Sequence, residues 1–216
     1  MTTAYESDAD LEDARTSVAR FVSALVWEYD LLIDTRRFNT SGEVSPTYRP
    51  VNVEMDAFPG TMMHPAPASV EVTHDDRLRL ALAVLREGVN ASTPYLAYFA
   101  FFNAIDTAFD GKLADVNAFI NAEATGTAGL ETYVRKVIAD PRAWTRPTGD
   151  FAEYIRTHGR DAIAHVVRSA PTLPEVDPDR PQERDRLIAE SWWLRSLARR
   201  AIEKRWPDPV RVVPRF

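Results

Sequence analysis

The sequence contains no cysteine. Disulfides, thiolate metal sites and cysteine nucleophiles are therefore excluded. No apolar run approaches the roughly 20 residues that a membrane-spanning helix needs. The opening residues, MTTAYESDADLEDAR, are acidic and polar where a secretory leader is basic and then apolar. The expectation is a cytoplasmic protein with no membrane contact, in which the sequons Asn39-Thr40-Ser41 and Asn90-Ala91-Ser92 carry no sugar. There is also no Gly-rich phosphate loop, no nucleophile elbow and no dinucleotide fingerprint. Internal repeats and coiled-coil heptads are missing as well.

The 216 residues, 45% hydrophobic and 27% charged, suffice for one sizeable domain with its own core. A net charge of −6 conceals an asymmetry. Residues 1–131 hold 9 Lys and Arg against 20 acids, whereas residues 132–216 hold 17 against 12. The basic half is rich in Arg, which suits bidentate phosphate contacts. Its simpler reading is a solvated helix face laced with i,i+4 ion pairs.

Helical periodicity covers most of the chain. A helix over about residues 10–30 places Ala14, Val18, Phe21, Val22, Leu25 and Tyr29 on one face, with core as the default and an oligomer face as the alternative. Residues 77–89 form a strongly apolar second helix. Thr93 then reads as an N-cap with Pro94 at the first helical position. The aromatic run from Tyr95 to Phe109 reads as a helix buried on most sides. Shorter helices are expected over 113–124 and 130–139, and a last one over 182–205. Residues 35–73 differ in kind, with five prolines and two glycines. They read as an irregular insertion carrying a short strand or two, either a packed surface wrap or a lid.

The stretch DFAEYIRTHGRDAIAHVVRS, residues 150–169, stands apart. Phe151, Ile155, Ala162, Ile163 and Val166 would face a core. Tyr154, His158, Asp161, His165 and Arg168 fall at steps of four, three, four and three, so an ideal helix puts them on the opposite stripe. Two imidazoles, a carboxylate and a phenol beside guanidinium groups can move protons and hold a phosphate. Asp161 and His165 stand at i,i+4, so Asp161 could orient the imidazole. Arg160 lies about 140° round the helix from His165. It would have to reach round or act across a dimer. Gly159 would then mark a helix start aimed at one phosphate. The blander readings are a structural histidine and an Arg160–Asp161 pair. His158, His165 and Asp161, with His64 or His74, match no recognised metal spacing, so no metal and no cofactor is expected.

Arg160-Asp161-Ala162-Ile163-Ala164-His165 fits the Arg-polar-x-x-x-His signature of the HEPN superfamily. ALAVLREGVNASTPYLAYFAFFNAID, residues 81–106, resembles the methylamine-utilisation J-type HEPN-like proteins. Those pair a "yREalnasSp" segment and a long aromatic helix with an "RNAIAH"-like element and an Arg-rich final helix. ARFVSALVWEYD, residues 19–30, is similar to their first helix. Asp161 stands where Asn is more typical. The resemblance implies an all-α, HEPN-like helical bundle spanning residues 1–216 as one domain, with 35–73 as its insertion and 206–216 as a C-terminal tail. It also implies a homodimer with two motifs facing one cleft.

Many members are metal-independent endoribonucleases, some of them toxins or defence effectors. In that chemistry His165 shuttles the proton and Arg160 steadies the transition-state charge. The product is a 2′,3′-cyclic phosphate. Catalytic residues would be Arg160, His165 and Asp161, with His158, Arg168 and Tyr154 binding an RNA substrate. Other members are catalytically inactive binding or accessory proteins, and the net acidity of this chain fits that alternative.

Overall fold

The computed structural model describes residues 2–5, 8–29, 38–39, 49–53, 69–72, 75–124, 150–164 and 180–213. The chain divides into two compact units, one made of residues 1–75 with 208–216, the other of residues 76–207.

The first unit is built on helix α1, Asp8–Tyr29. Ala14 and Val18 are buried on one face, but from Val22 to Trp27 every residue is buried. The second half of the helix is thus enclosed more fully than its periodicity suggests. Ser23, inside that stretch, turns its hydroxyl back to the Ala19 carbonyl at 2.9 Å, which satisfies a buried polar group locally. Around α1 lie short strands. β1 (Thr2–Tyr5) and β2 (Phe38–Asn39) flank β3 (Arg49–Val53) in an antiparallel sheet of order β1-β3-β2. Within β3, Pro50 stands opposite Ala4 of β1, and among the described residues β2 pairs only with Asn52 and Val53.

A separate pair joins β4 (Ser69–Val72) to β5 (Val210–Val213), with Val72 opposite Val210. Strands in the Pro-rich insertion agree with its sequence. Residues 2–5 and 210–213 carried no such signal. The latter, read as part of a tail, form a strand instead.

Among the described residues, the regular elements of the second unit are all helices. α2 (Asp76–Val89), α3 (Pro94–Ala108), α4 (Leu113–Ala124) and α6 (Pro181–Arg205) begin and end within a residue of their expected positions. α5 consists of an α segment Phe151–Ile155, a π turn Arg156–Asp161 and an α turn Ala162–Ala164. The helix expected over 130–139 lies outside the described residues. α3 is the hub: it packs along both α2 and α6 and also touches α4 and α5. It buries Tyr98, Phe101, Phe102, Ala104, Ile105 and Ala108. α6 answers with Leu187, Trp193, Leu194, Leu197, Ala201 and Ile202. Among the described residues no helix is long and apolar enough to cross a membrane.

The α2–α3 corner is tight. Thr93 caps α3, its Oγ1 accepting from the Leu96 amide at 3.3 Å, and Pro94 occupies the first turn. Thr93→Ala should cost about 1 kcal/mol in urea unfolding, with Thr93→Ser near neutral, because serine keeps the accepting oxygen.

Candidate active site

α5 starts at a double clamp. Asp150 is its N-cap, accepting from the Glu153 amide at 3.0 Å. Asn121 of α4 donates to the same Asp150 oxygen at 2.9 Å and accepts from the Ala152 amide at 3.0 Å. The donated hydrogen bonds from the Glu153 amide and Asn121 hold the Asp150 carboxyl below the usual carboxylate range. The helix therefore begins at Phe151. Gly159, expected as a helix start, sits inside it.

Gly159 has a different role. A Cβ at this position would stand 2.0 Å from the Tyr98 hydroxyl and 2.1 Å from the ring carbon bearing it. Tyr98, fully buried, lies flush against the glycine and donates to the Ile155 carbonyl at 2.8 Å. From the opposite helix, Arg186 Nη2 donates to the His158 carbonyl at 3.0 Å. Side chains from α3 and α6 thus bind the carbonyl just before the widened turn and one within it, which keeps those acceptors satisfied.

The π turn redistributes the expected polar stripe. Tyr154 and His158 remain together, their rings stacked with centroids 4.8 Å apart. Asp161 leaves them and is buried. Its Oδ2 accepts from Arg156 Nη1 and its Oδ1 from Arg160 Nη1, each at 2.7 Å. In an α-helix residues five apart point about 140° from each other. In a π turn, where the repeat is i to i+5, they are neighbours. Glu153 takes the rest of Arg156, with Oε1 and Oε2 at 2.7 and 2.8 Å from Nη2. The Arg160 side chain is 39% exposed, and among the described residues Asp161 holds its guanidinium through Nη1. On the apolar side Phe151, Ile155 and Ala162 are buried, as expected, while Ile163 is half-buried. His165, Arg168 and Val166 lie outside the described residues.

Beneath Tyr154 is a group that periodicity did not single out. Glu190 of α6 is completely buried. It accepts from the Tyr154 hydroxyl at 2.8 Å and from Arg186 Nη1 at 2.9 Å. Arg186 also pairs with Glu183 at 2.9 Å. Burial pushes the Glu190 carboxyl up, and Arg186 opposes that shift. Burial, then the nearby Glu190 charge, raises both the Tyr98 and Tyr154 phenols well above their usual range. A sequence signal for Glu190 did exist. It falls on the same stripe as Leu187, Leu194, Leu197 and Ala201, so a carboxylate stands in a row of core positions.

A cleft of about 240 Å3 opens on the other side of α6, between Ile188, Ser191, Trp192 and Arg195 and the turn from Gly88 to Pro94. Trp192 is half-exposed there. The LREGVNASTP segment that carried the family resemblance builds this turn. Among the described residues no three His, Asp or Glu side chains converge as a metal site.

A protein-family model described as Methylamine utilization protein MauJ matches residues 81–203. The match runs from α2 through α5 into α6, more than half of the chain, and contains the whole candidate site. The N-terminal likeness at residues 19–30 lies outside it. No curated protein and no solved structure matches the chain.

Two measurements follow from this geometry. Gly159→Ala should lower unfolding stability by roughly 2–3 kcal/mol through overpacking against Tyr98, and Gly159→Ala combined with Tyr98→Ala should fall short of the sum of the single effects. Because the folded state keeps Tyr98 and Tyr154 protonated while the unfolded chain ionises them near pH 10, their contribution is intact below that pH. It declines as pH rises above it. Tyrosinate absorbance should show both phenols titrating only with alkaline unfolding.

Proposed function

The chain belongs to the MauJ family, whose members are HEPN-like, and from that membership we propose that α5 carries a metal-independent RNA-cleaving site. The observation that carries the reading is the state of Arg160. Its guanidinium is anchored by a buried carboxylate at 2.7 Å, yet more than a third of the side chain faces solvent. A cation fixed before the substrate arrives suits charge that develops on a phosphorane.

In this reading His165 accepts the proton of a 2′-hydroxyl, whose oxygen attacks the adjacent phosphorus. The bond to the 5′-oxygen breaks, that oxygen takes up a proton, and the products are a 2′,3′-cyclic phosphate and a 5′-hydroxyl. Asp161, with a guanidinium on each oxygen, is the positioning residue for Arg160. His158, stacked on Tyr154, and Arg168 bind the strand. Tyr154 acts indirectly, held by Glu190. Two chains form a homodimer with both motifs at one cleft, and a toxin or defence role follows from unchecked RNA cleavage.

A second reading is a non-catalytic accessory protein serving methylamine utilisation, after the family's description. It is favoured by the self-neutralised cluster of Glu153, Arg156, Asp161 and Arg160. The two readings part in one assay. Wild type should cleave mixed single-stranded RNA in EDTA, and Arg160→Ala or His165→Ala should each lower the rate by at least about 100-fold. Circular dichroism of the variants should be unchanged. Mixing the two inactive variants should restore part of the activity if the residues act across the dimer. A folded, dimeric wild type that leaves RNA intact overturns the nuclease reading.

A further inference from the structure

We propose that Arg156 is a second phosphate-binding group beside Arg160, and that Glu153 occupies its place while no nucleic acid is bound. The inference rests on the reading that the α5 surface meets RNA, and it does not require cleavage.

Only the π turn lets Arg156 share Asp161 with Arg160. One buried carboxylate thereby fixes two guanidinium groups, one on each oxygen, at 2.7 Å. Arg156 and Arg160 are partly exposed, at 29% and 39% of their side chains. A phosphodiester presents two non-bridging oxygens and one negative charge, which paired guanidinium groups match in both geometry and sign. Asp161 holds both cations in place before binding, so little side-chain freedom remains to be lost.

Glu153 fills the complementary position. Its two oxygens take the Nε and Nη2 edge of Arg156 at 2.7–3.3 Å, the edge that a phosphate takes bidentately. Glu153 is half-exposed, and ion pairs at such sites are weak and screened by salt. A phosphodiester can therefore displace it. With Glu153 in place the two acids and two arginines sum to zero charge. Without it the cluster carries one positive charge. The carboxylate acts as an internal competitor that lowers affinity and favours strands able to offer a phosphate at that spot.

The test uses the His165→Ala protein and a fluorescently labelled single-stranded RNA, with binding followed by anisotropy across a range of KCl concentrations. Arg156→Ala should reduce the slope of log affinity against log salt by about 0.7, the value for one phosphate contact on a single strand. Arg156→Lys should keep most of the slope while weakening binding. Glu153→Gln should tighten binding at low salt by roughly threefold. Should Arg156→Ala fail to fold, the Glu153→Gln result decides alone.

An unchanged slope in folded Arg156→Ala, unaltered affinity in Glu153→Gln, or no RNA binding at any salt overturns the inference. RNA cleaved by wild type with Arg156→Ala indifferent removes this inference and leaves the nuclease reading standing. Arg156-dependent binding without cleavage by wild type does the reverse.

Discussion

Tyr98 reaches the motif helix at the one position where no side chain stands in its way. Its ring lies against Gly159 so closely that a single added carbon would overlap the hydroxyl, and that hydroxyl binds the Ile155 carbonyl. An undistorted α-helix would keep that carbonyl for an amide four residues on. Widening the turn makes room for the phenol, and the widened turn is what sets Arg156 next to Asp161. The arrangement of charged groups on the α5 surface thus derives from a buried contact between a tyrosine and a glycine. The glycine carries a conformational cost of about 1 kcal/mol within a helix, offset by packing that no other residue permits.

The helical frame was legible because strong periodicity and well-placed caps agreed. Thr93 and Pro94 marked the start of α3, and the aromatic run after them had nowhere to go but the core. Asp150 and Glu153 stand three apart in the same kind of start signal, but the start was expected at Gly159 instead. The interior of α5 was not legible. A stripe drawn at 3.6 residues per turn assumes an unbroken α-helix, and it assigned Asp161 to the company of Tyr154 and His158. Whether a glycine begins a helix or widens one depends on what packs against it, and Tyr98 is 61 residues away in the chain. The paired strands β1–β3 and β4–β5 were hidden for a similar reason, since pairing of short strands distant in sequence leaves little local pattern.

The charge asymmetry also acquires a physical explanation. Many arginines of the basic half do not form a phosphate-facing stripe. Arg186 is committed to Glu190 and Glu183, Arg200 to Glu123 and Arg205 to Asp110. The Arg186 pairs are of the expected i,i+3 and i,i+4 kind, whereas Arg200 and Arg205 pair with acids distant in sequence and outside α6. Glu190 is the exception in kind. It is an acid on the apolar stripe of α6, and its burial is compensated by a guanidinium and a phenol that together carry the Tyr154–His158 stack. Breaking such a pair costs more than the pair contributes, so this network fixes side-chain position more than it adds stability.

The pairing of β4 with β5 has a consequence for the order in which the chain can be completed. Val72 and Val210 are opposite each other, yet everything from α2 to the end of α6 lies between them in sequence. During synthesis β4 emerges before the helical unit and its partner only after it. Until Val210 has been made, the backbone of β4 lacks the strand that completes its ladder, an open edge of the kind that invites wrong partners. The helical unit, contiguous in sequence and rich in local contacts, can form in that interval. Closing a long loop costs free energy only logarithmically in its length. The first unit is therefore completed only with residues from both sides of the helical one.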